Sequence, residues 1–422
     1  MAIVHTLREA GYDALWAGGC VRDQLLGVIP KDYDVASTAT PDQVISLFGR
    51  RKTIPVGASF GVVVVLGPTK AAGQIEVATF RSDGKYLDGR RPESVTFCRP
   101  EEDAQRRDFT INGMFFDPIA NEVIDYVGGK DDLATGVIRA IGDPVARFTE
   151  DKLRLLRAVR FAATFQFRLE DRTADAVRQL HHELHQVSIE RVAQELRRML
   201  AHPTRAVSVR LLIETGLLAE VLPEIAVPEE LESLDQNDSA KDKTLMRTLA
   251  ALESGCFEPA MAVLLRNAQN EEMNDWRKRL VPVKAVCRRL KLSNVETDRI
   301  CWLIGSMEII GGIEHRPLFV RKLLLSHSDA ALLLDVAAAV AKAAGHSPVD
   351  AEFCRRYLAQ VSAETLVPIP LIDGRDIMNL GIPAGPEIRD LLIWIRNEQL
   401  DELLTTREQA LVRLADLISR MR

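Results

Sequence analysis

The stretch GGCVRDQLLGVIPKDYD, residues 18–34, joins two short patterns that together point to a fold and a chemistry. Asp32 and Asp34 are separated by one residue. Because successive side chains of a strand point to opposite faces, a strand here would direct both carboxylates to one face, where they could share divalent cations. Upstream, Gly18 and Gly19 predict a tight turn into a helix N-terminus, where free N–H groups favour phosphate. The two patterns together indicate nucleotide chemistry at a two-metal site.

The composition is that of an ordinary globular protein. The chain has 422 residues and is 47% hydrophobic, which fits about two to four domains with a sizeable core. No run approaches the roughly 18 apolar residues of a membrane span, and the N-terminus lacks a signal-peptide pattern. We therefore expect a cytoplasmic protein with no membrane partner. The six cysteines show no Cys-x-x-Cys spacing, which argues against a zinc ribbon or a disulfide framework.

The order of secondary-structure signals predicts an α+β fold. Val62–Leu66 and Gln74–Phe80 are short β-rich runs separated by turn-forming residues, which indicates a small mixed sheet in the first 140 or so residues. After Glu150 a 3.6-residue periodicity takes over, and the remainder is predicted to be almost wholly helical. An acidic stretch from Pro223 to Asp242 and a proline-containing stretch from Pro368 divide the helical part.

Two further motifs carry a family resemblance. They are RRDFTING at residues 106–113 and EDKLRLLRAVRF at residues 150–161. Together with residues 18–34, they resemble the signature of the class II tRNA nucleotidyltransferase and bacterial poly(A) polymerase family, within the polymerase-β-like nucleotidyltransferase superfamily. The chain looks most like a bacterial CCA-adding or A-adding enzyme. The resemblance is dense over residues 15–200 and loose beyond them.

The resemblance implies an architecture and an activity. A nucleotidyltransferase head with a small mixed β-sheet is expected at residues 1–140, followed by an elongated all-α part made of a neck (141–222), a body (223–365) and a tail (366–422). The enzyme would add C and A to the tRNA 3′ end from CTP and ATP and release pyrophosphate. The helical part would hold the tRNA acceptor arm through phosphates and shape.

A two-metal mechanism would place Mg²⁺ at Asp32 and Asp34, since every ligand offered is a hard oxygen. Glu76, which alternates outward between Ile75 and Val77, is the candidate third catalytic carboxylate. The resemblance supports this assignment, because the family carries an acidic residue at the corresponding point. The alternative interpretation is an exposed strand glutamate.

Asp151 and Arg154 are candidates for base selection. On a helix they would be neighbours at i and i+3, which is most often a surface ion pair of little consequence. A carboxylate beside a guanidinium also offers an acceptor next to a donor, which matches cytosine and adenine but neither uracil nor guanine. The family assigns this role to the matching residues. The resemblance further implies nucleotide binding by Gly18, Gly19, Arg22, Arg107, Asp108, Arg157 and Arg160.

Three alternatives remain open at this point. The chain could be an A-only-adding enzyme, a poly(A) polymerase or a non-catalytic RNA-binding module. The polymerases carry a basic stretch after the aspartates from which residues 49–57 depart, and the glycine-rich segment from Asp83 to Pro92 resembles the loop that the family uses to switch from C to A addition. No zinc is expected, because neither the cysteines nor the histidines show a convincing ligand spacing. The metal-dependent phosphohydrolase domain of some relatives is not expected either, because residues 264–267 read Leu-Leu-Arg-Asn where those relatives have Leu-Leu-His-Asp.

Overall fold

A computed structural model describes residues 1–57, 60–67, 73–84, 94–225, 240–268 and 276–421. They form two compact units, Met1–Glu232 and Ser233–Arg422. The first unit contains the β-structure and the second is helical, so the predicted α+β class is confirmed. The division into head, neck, body and tail stays a prediction.

The strands of the first unit are short and most of them belong to one mixed sheet. They are β1 (Ala14–Ala17), β2 (Asp34–Ser37), β3 (Thr53–Gly57), β4 (Val62–Leu66), β5 (Gln74–Thr79), β6 (Arg81–Asp83), β7 (Val95–Phe97), β8 (Phe115–Asp117), β9 (Glu122–Ile124), β10 (Val137–Ile138) and β11 (Arg168–Leu169). The main sheet has seven strands in the order β3-β4-β5-β2-β1-β8-β9. Only β2 and β5 run parallel within it, and the predicted runs at 62–66 and 74–80 form β4 and β5.

Both units contain helices. In the first unit they are α1 (Ala2–Glu9), α2 (Gly19–Leu25), α3 (Pro41–Phe48), α4 (Pro100–Gln105), α5 (Gly129–Thr135), α6 (Pro144–Glu150), α7 (Leu153–Phe165), α8 (Asp171–Leu180), α9 (Ile189–Ala201), α10 (Arg205–Glu214) and α11 (Leu217–Val221). The second unit contains α12 (Ala240–Ala251), α13 (Phe257–Leu265), α14 (Trp276–Arg279), α15 (Val281–Arg289), α16 (Asn294–Ile310), α17 (Leu318–Leu325), α18 (Ala330–Ala343), α19 (Val349–Gln360), α20 (Ala363–Leu366), α21 (Gly374–Asn379), α22 (Pro386–Leu400) and α23 (Arg407–Met421). Short 3₁₀ helices include His181–Gln186. Among the described residues after Glu150, only β11 departs from the helical prediction.

The two faces of the main sheet are both covered, as period-two alternation requires. Val35 of β2 and Val77 of β5 pack with Val4 and Leu7 of α1 on one face. Ala36 of β2 belongs to a second cluster on the other face. Asp34 has the same parity as Ala36, so it starts β2 on the face opposite α1.

Two predicted segments lie partly outside the described residues. The predicted switching loop from Asp83 to Pro92 is described only up to Gly84, and the acidic stretch from Pro223 to Asp242 is interrupted between residues 225 and 240. All six cysteines are free thiols, and four of them are buried.

Within the described part of the chain, no single helix is long and apolar enough to cross a membrane. Helices α17 and α18, which are bent by 106° at the break between them, reach the required length and composition only when taken together.

Candidate active site

Two carboxylates lie side by side on two parallel strands, Asp34 as the first residue of β2 and Glu76 as the third residue of β5. Val35 of β2 is in register with Val77 of β5, so the preceding residues, Asp34 and Glu76, are neighbours on the same face. Both residues are exposed. Protein atoms around the Asp34 carboxyl nevertheless displace water from it, and together with the negative charge of Glu76 they raise its pKa to about 6, against the opposing charge of Arg107. The sheet therefore concentrates negative charge at this edge.

Asp32 occupies a different position from the one that the sequence predicts. It lies in the irregular segment before β2, which begins only at Asp34, so the expectation of two aspartates on one strand is wrong. Its charge still contributes to the raised pKa of Asp34. Among the described residues, no three His, Cys, Asp or Glu side chains are grouped so that they could hold a metal ion. The metal-binding role of Asp32 and Asp34 stays a prediction.

A cavity of about 470 Å³ opens beside Asp34 in the first unit. Its lining brings together residues from all three sequence motifs: Gly18, Gly19, Arg22, Asp34, Arg106, Arg107, Asp108, Asn112, Asp151, Arg154, Arg157 and Phe161. Its size is typical of small-molecule sites. Nine of these twelve residues are among those that the sequence singles out.

Gly18 allows the Arg107 guanidinium to lie close to the backbone that lines this cavity. It precedes α2 with a φ of +71°, a conformation that favours glycine. A Cβ at this position would stand 3.0 Å from Arg107 Nη1. The predicted tight turn into a helix is therefore confirmed. The absence of a side chain at Gly18 also leaves room for the Arg107 guanidinium.

Asp103, which the sequence analysis did not single out, anchors the two arginines of the RRDFTING motif. Its side chain is 1% exposed. Arg106 donates to Oδ1 at 2.9 and 2.7 Å, and Arg107 donates to Oδ2 at 3.1 and 2.9 Å. Burial alone would raise the pKa of Asp103, but the two guanidinium groups hold it below its usual value. The signal available in the sequence was the spacing, since Asp103 precedes the arginine pair by three and four residues.

Asp108 holds Arg157 at the wall of the cavity. Arg157 donates to Asp108 Oδ2 from Nε at 2.8 Å and from Nη2 at 2.5 Å, while Oδ1 accepts from the Phe109 N–H at 2.8 Å and from Asn112 Nδ2 at 3.1 Å. Burial tends to raise the pKa of Asp108, yet the Arg157 charge and these hydrogen bonds lower it to about 2. Asn112 also accepts from Arg22 Nη1 at 2.6 Å. The acceptor sites of Asp108 are thus filled by protein donors.

Asp151 and Arg154 lie at the junction between α6 and α7. The expectation that both are on one helix is wrong, because Asp151 follows the end of α6 with extended backbone angles and α7 begins at Leu153. Nor do they pair with each other. Asp151 is held by Arg191 of α9 through two hydrogen bonds of 3.1 and 2.8 Å, and Arg154 donates to Glu150 Oε2 at 2.6 Å. Both side chains nevertheless line the cavity.

Comparison with known proteins places these features in a family. The chain matches the model of the "Poly A polymerase head domain" over residues 14–139. It also matches the "Probable RNA and SrmB- binding site of polymerase A" over residues 166–227. The CCA-adding enzyme of Geobacillus kaustophilus is 33% identical over 404 residues, which are 93% of this chain and 91% of that enzyme. The chain belongs to the CCA-adding enzyme family.

Other members of the CCA-adding enzyme family match more closely over a shorter range. The enzyme of Anoxybacillus flavithermus is 40% identical over 231 residues, so the match spans about half of each chain, 54% of this one and 56% of that one. A crystal structure of the Bacillus stearothermophilus CCA-adding enzyme in complex with CTP, 30% identical, has a TM-score of 0.75 and covers 100% of this chain and 97% of that one.

Neither family model covers the α6–α7 junction of this member of the CCA-adding enzyme family. The head model ends at residue 139 and the next begins at residue 166, so Asp151, Arg154 and Arg157 lie between them. Arg160, a predicted nucleotide-binding residue, is not part of the cavity lining. Its Nε donates to Glu195 Oε2 at 2.5 Å and its guanidinium covers the Phe161 ring. Its nucleotide-binding role stays a prediction.

Three residues of the cavity are not among the candidate site residues that the sequence indicates. Arg106, Asn112 and Phe161 line it, and all three belong to the motifs already quoted. Their place inside RRDFTING and at the end of EDKLRLLRAVRF was the available signal. What the motifs did not reveal is which members face the cavity, because that depends on how α4 and α7 are packed.

Proposed function

We propose that the protein adds C and A residues to the 3′ end of tRNA, using CTP and ATP and releasing pyrophosphate. The proposal rests on membership of the CCA-adding enzyme family and on one structural observation. At the α6–α7 junction, Asp151 and Arg154 line the same cavity as Asp34, and each keeps hydrogen-bonding capacity that the described residues do not use.

Among the described residues, three N–H donors occupy the carboxylate of Asp151, which leaves one acceptor position. A carboxylate offers about four acceptor positions. Oδ1 accepts from the Leu153 N–H at 3.0 Å and from Arg191 Nη1, and Oδ2 accepts from Arg191 Nη2. Oδ2 can therefore accept one further N–H donor, such as the exocyclic amino group of a base.

The guanidinium of Arg154 has donors left. Its Nη1 donates to the Arg147 carbonyl at 2.8 Å and to Glu150, and its Nη2 donates to the Arg106 carbonyl at 3.2 Å. A guanidinium carries five N–H groups. Within the described part of the chain, one N–H of Nη2 and the Nε–H remain for a ligand.

An acceptor beside a donor matches the pairing edges of cytosine and adenine. Both bases present an amino group next to an unprotonated ring nitrogen, whereas uracil and guanine present a carbonyl next to a protonated nitrogen. A site built from such groups rejects the wrong base strongly, because its own polar groups would be left unpaired. Asp151 and Arg154 would thus select C and A without a nucleic-acid template.

The carboxylates at the strand edge suit a divalent metal, and we expect Mg²⁺ held by Asp32 and Asp34 with Glu76 as a third carboxylate. The chemistry of the donors fits, because all three side chains are carboxylates that offer hard oxygens. Bound Mg²⁺ supplies charge neutralisation and lowers the pKa of a bound hydroxyl. Arg107 and Arg157, whose guanidinium groups line the same cavity, would bind phosphate oxygens.

The tRNA would be bound by the helical part of the chain, which we propose divides into neck, body and tail at the boundaries expected from the sequence. Residues 151–210 carry an excess of five positive charges although the whole chain has a net charge of −6. Such a local excess suits phosphate contacts. A cytoplasmic location stays a prediction.

The deciding experiment incubates the protein with Mg²⁺ and with tRNA that ends before CC, after the first C or after CC. Each NTP is supplied alone and the product lengths are read on a sequencing gel. We expect C to be added to the first two substrates and one A to the third. One A on the CC-ended tRNA without any C addition would select the A-only alternative, and long A tails would select a poly(A) polymerase. A chain that extends none of the substrates would be an RNA-binding module.

A further inference from the structure

Lys152 is a buried cation beside the proposed base-selecting residues, and the proposed reaction gives it no role. Lys152 follows Asp151 in the sequence, and only 3% of its surface is exposed. It does not line the cavity. Its Nζ lies 2.5 Å from Glu183 Oε2. A buried lysine without a charged partner carries a large free-energy penalty. The contact with Glu183 is therefore kept, and it constrains the backbone around Lys152.

The backbone at this point is irregular. Asp151 is extended, with φ −142° and ψ 103°. The first backbone bonds of α7 are short-range, from the Arg154 N–H to the Asp151 carbonyl and from the Leu155 N–H to the Lys152 carbonyl. Bonds of this i+3 type have poorer geometry than those of a regular α-helix. Side-chain anchors therefore decide how the junction is oriented.

Two successive side chains of the junction are anchored to two successive elements. Asp151 is held by Arg191 of α9, and Lys152 is held by Glu183 of the 3₁₀ helix His181–Gln186. The hydrogen bond from Lys152 lowers the pKa of Glu183, helped by the neighbouring histidines His182 and His185. The peptide between Asp151 and Lys152 is thus fixed from both sides.

We infer that the Lys152–Glu183 ion pair positions the junction so that the free acceptor of Asp151 stays aligned with the free donors of Arg154. This inference rests on the proposed function. Lys152 touches neither nucleotide nor reacting atoms and acts through Asp151. Loss of the ion pair leaves Asp151 and Arg154 in the protein but no longer holds the acceptor and the donor in alignment. The use of CTP and ATP is therefore impaired, whereas the use of UTP and GTP is unchanged.

The test compares the selection of CTP over UTP in the full-length protein carrying Lys152→Met, which keeps the apolar stem and removes the charge. The kcat/KM for CTP and for UTP is measured on tRNA that ends before CC. We expect the CTP-over-UTP ratio to fall about tenfold, mainly through a higher KM for CTP. Arg178→Met is the matched control, because Arg178 forms an exposed ion pair with Asp175 on α8, and it should leave the ratio unchanged.

A second variant keeps the test decisive if Lys152→Met does not fold, as thermal unfolding will reveal. Glu183 is partly exposed, and Glu183→Gln retains a hydrogen-bond acceptor for Lys152 while removing the charge. We expect a smaller fall of the ratio in the same direction. A folded variant with the wild-type ratio, or with an equal loss for both nucleotides, overturns the positioning role. Failure of the wild-type protein to extend any tRNA would instead overturn the proposed function and the inference with it.

Discussion

Gly18 and Arg107 form a contact in which the absence of one side chain makes room for another. The backbone of Gly18 is left-handed, and its Cα faces the Arg107 guanidinium. Arg107 is held from the other side by Asp103. A residue with a Cβ would strain the backbone and push the guanidinium away from the cavity.

Gly18→Ala is therefore expected to lower kcat/KM for CTP by at least about tenfold. A left-handed alanine costs roughly 1 kcal/mol or more, and the new Cβ would displace Arg107. Gly27→Ala is a matched control, because Gly27 has nearly the same φ of +72° and no atom within 4 Å of the added Cβ. Primer extension and thermal unfolding of both variants separate the two effects. Equal activity loss in both would show that strain alone matters.

Asp34→Asn is expected to abolish nucleotide addition while leaving tRNA affinity nearly unchanged. The substitution keeps the shape of the side chain and removes the charge that a divalent cation would need. Asp32→Ala should have the same effect, and Asp42→Asn, an exposed aspartate in the first turn of α3, should have none. Extension assays with tRNA binding by fluorescence anisotropy check this. An Asp34→Asn protein that still extends tRNA would exclude the two-metal site.

Asp108 makes the stability of the first unit depend on pH. Its pKa is about 2 in the folded protein and 3.8 ordinarily, so the ionised form stabilises the fold above pH 4. That stability is lost as the pH falls towards 2 and amounts to about 2 kcal/mol. The free energy of unfolding of Asp108→Asn should fall less steeply than that of the wild type between about pH 5 and pH 3. Denaturant titrations at these pH values measure the difference, and parallel curves would contradict it.

At the scale of elements, the break between α6 and α7 places Asp151 and Arg154, the proposed base-selecting residues, in the lining of the cavity. A continuous helix would have placed Asp151 and Arg154 one turn apart and allowed them to pair with each other. The break instead gives each residue a separate partner, Arg191 and Glu150 respectively. Because Asp151 and Arg154 do not hydrogen-bond to each other, their remaining acceptor and donor positions stay available for a ligand.

Asp151→Ala should relax base choice more than it slows chemistry. Removing the acceptor would abolish the proposed hydrogen bond to the amino group of C or A, and it would relieve the penalty for U and G. We expect the preference for CTP over UTP to fall roughly 100-fold. Single-nucleotide extension with all four NTPs measures this preference, with Asp175→Ala as the surface control. Full discrimination by the folded Asp151→Ala protein would exclude selection by this side chain.

At the scale of the whole molecule, charge is distributed unevenly. The chain has a net charge of −6, yet residues 151–210 carry an excess of five positive charges. RNA affinity depends on local cations rather than on the total, because each neutralised phosphate releases counterions.

Binding of tRNA should accordingly weaken steeply with salt. If about five phosphates are contacted, the logarithm of the association constant should fall with the logarithm of salt concentration with a slope of about −4. Fluorescence anisotropy with labelled tRNA between about 50 and 300 mM KCl gives the slope. A slope near zero would mean that the helical part does not bind the tRNA through its phosphates.

Sequence patterns were sufficient wherever the physics is local. Short runs of β-rich residues bounded by turn-forming residues predicted β4 and β5, and the glycine pair predicted the start of α2, since these features depend on backbone preferences of adjacent residues. The outward position of Glu76 followed from its alternation with Ile75 and Val77. Motif resemblance led to the residues of the cavity, since nine of its twelve lining residues were already singled out.

Only the tertiary structure decided which charges pair. The sequence indicated Arg154 as the neighbour of Asp151, but the partner is Arg191, 40 residues away, and Asp103 was not foreseen as the anchor of Arg106 and Arg107. Ion pairs form between whichever opposite charges the packing of helices brings within about 4 Å. That distance depends on the whole fold. The sequence motifs therefore determined which side chains the site contains. The packing of the helices determined which partner each side chain has and which hydrogen bonds it can still form.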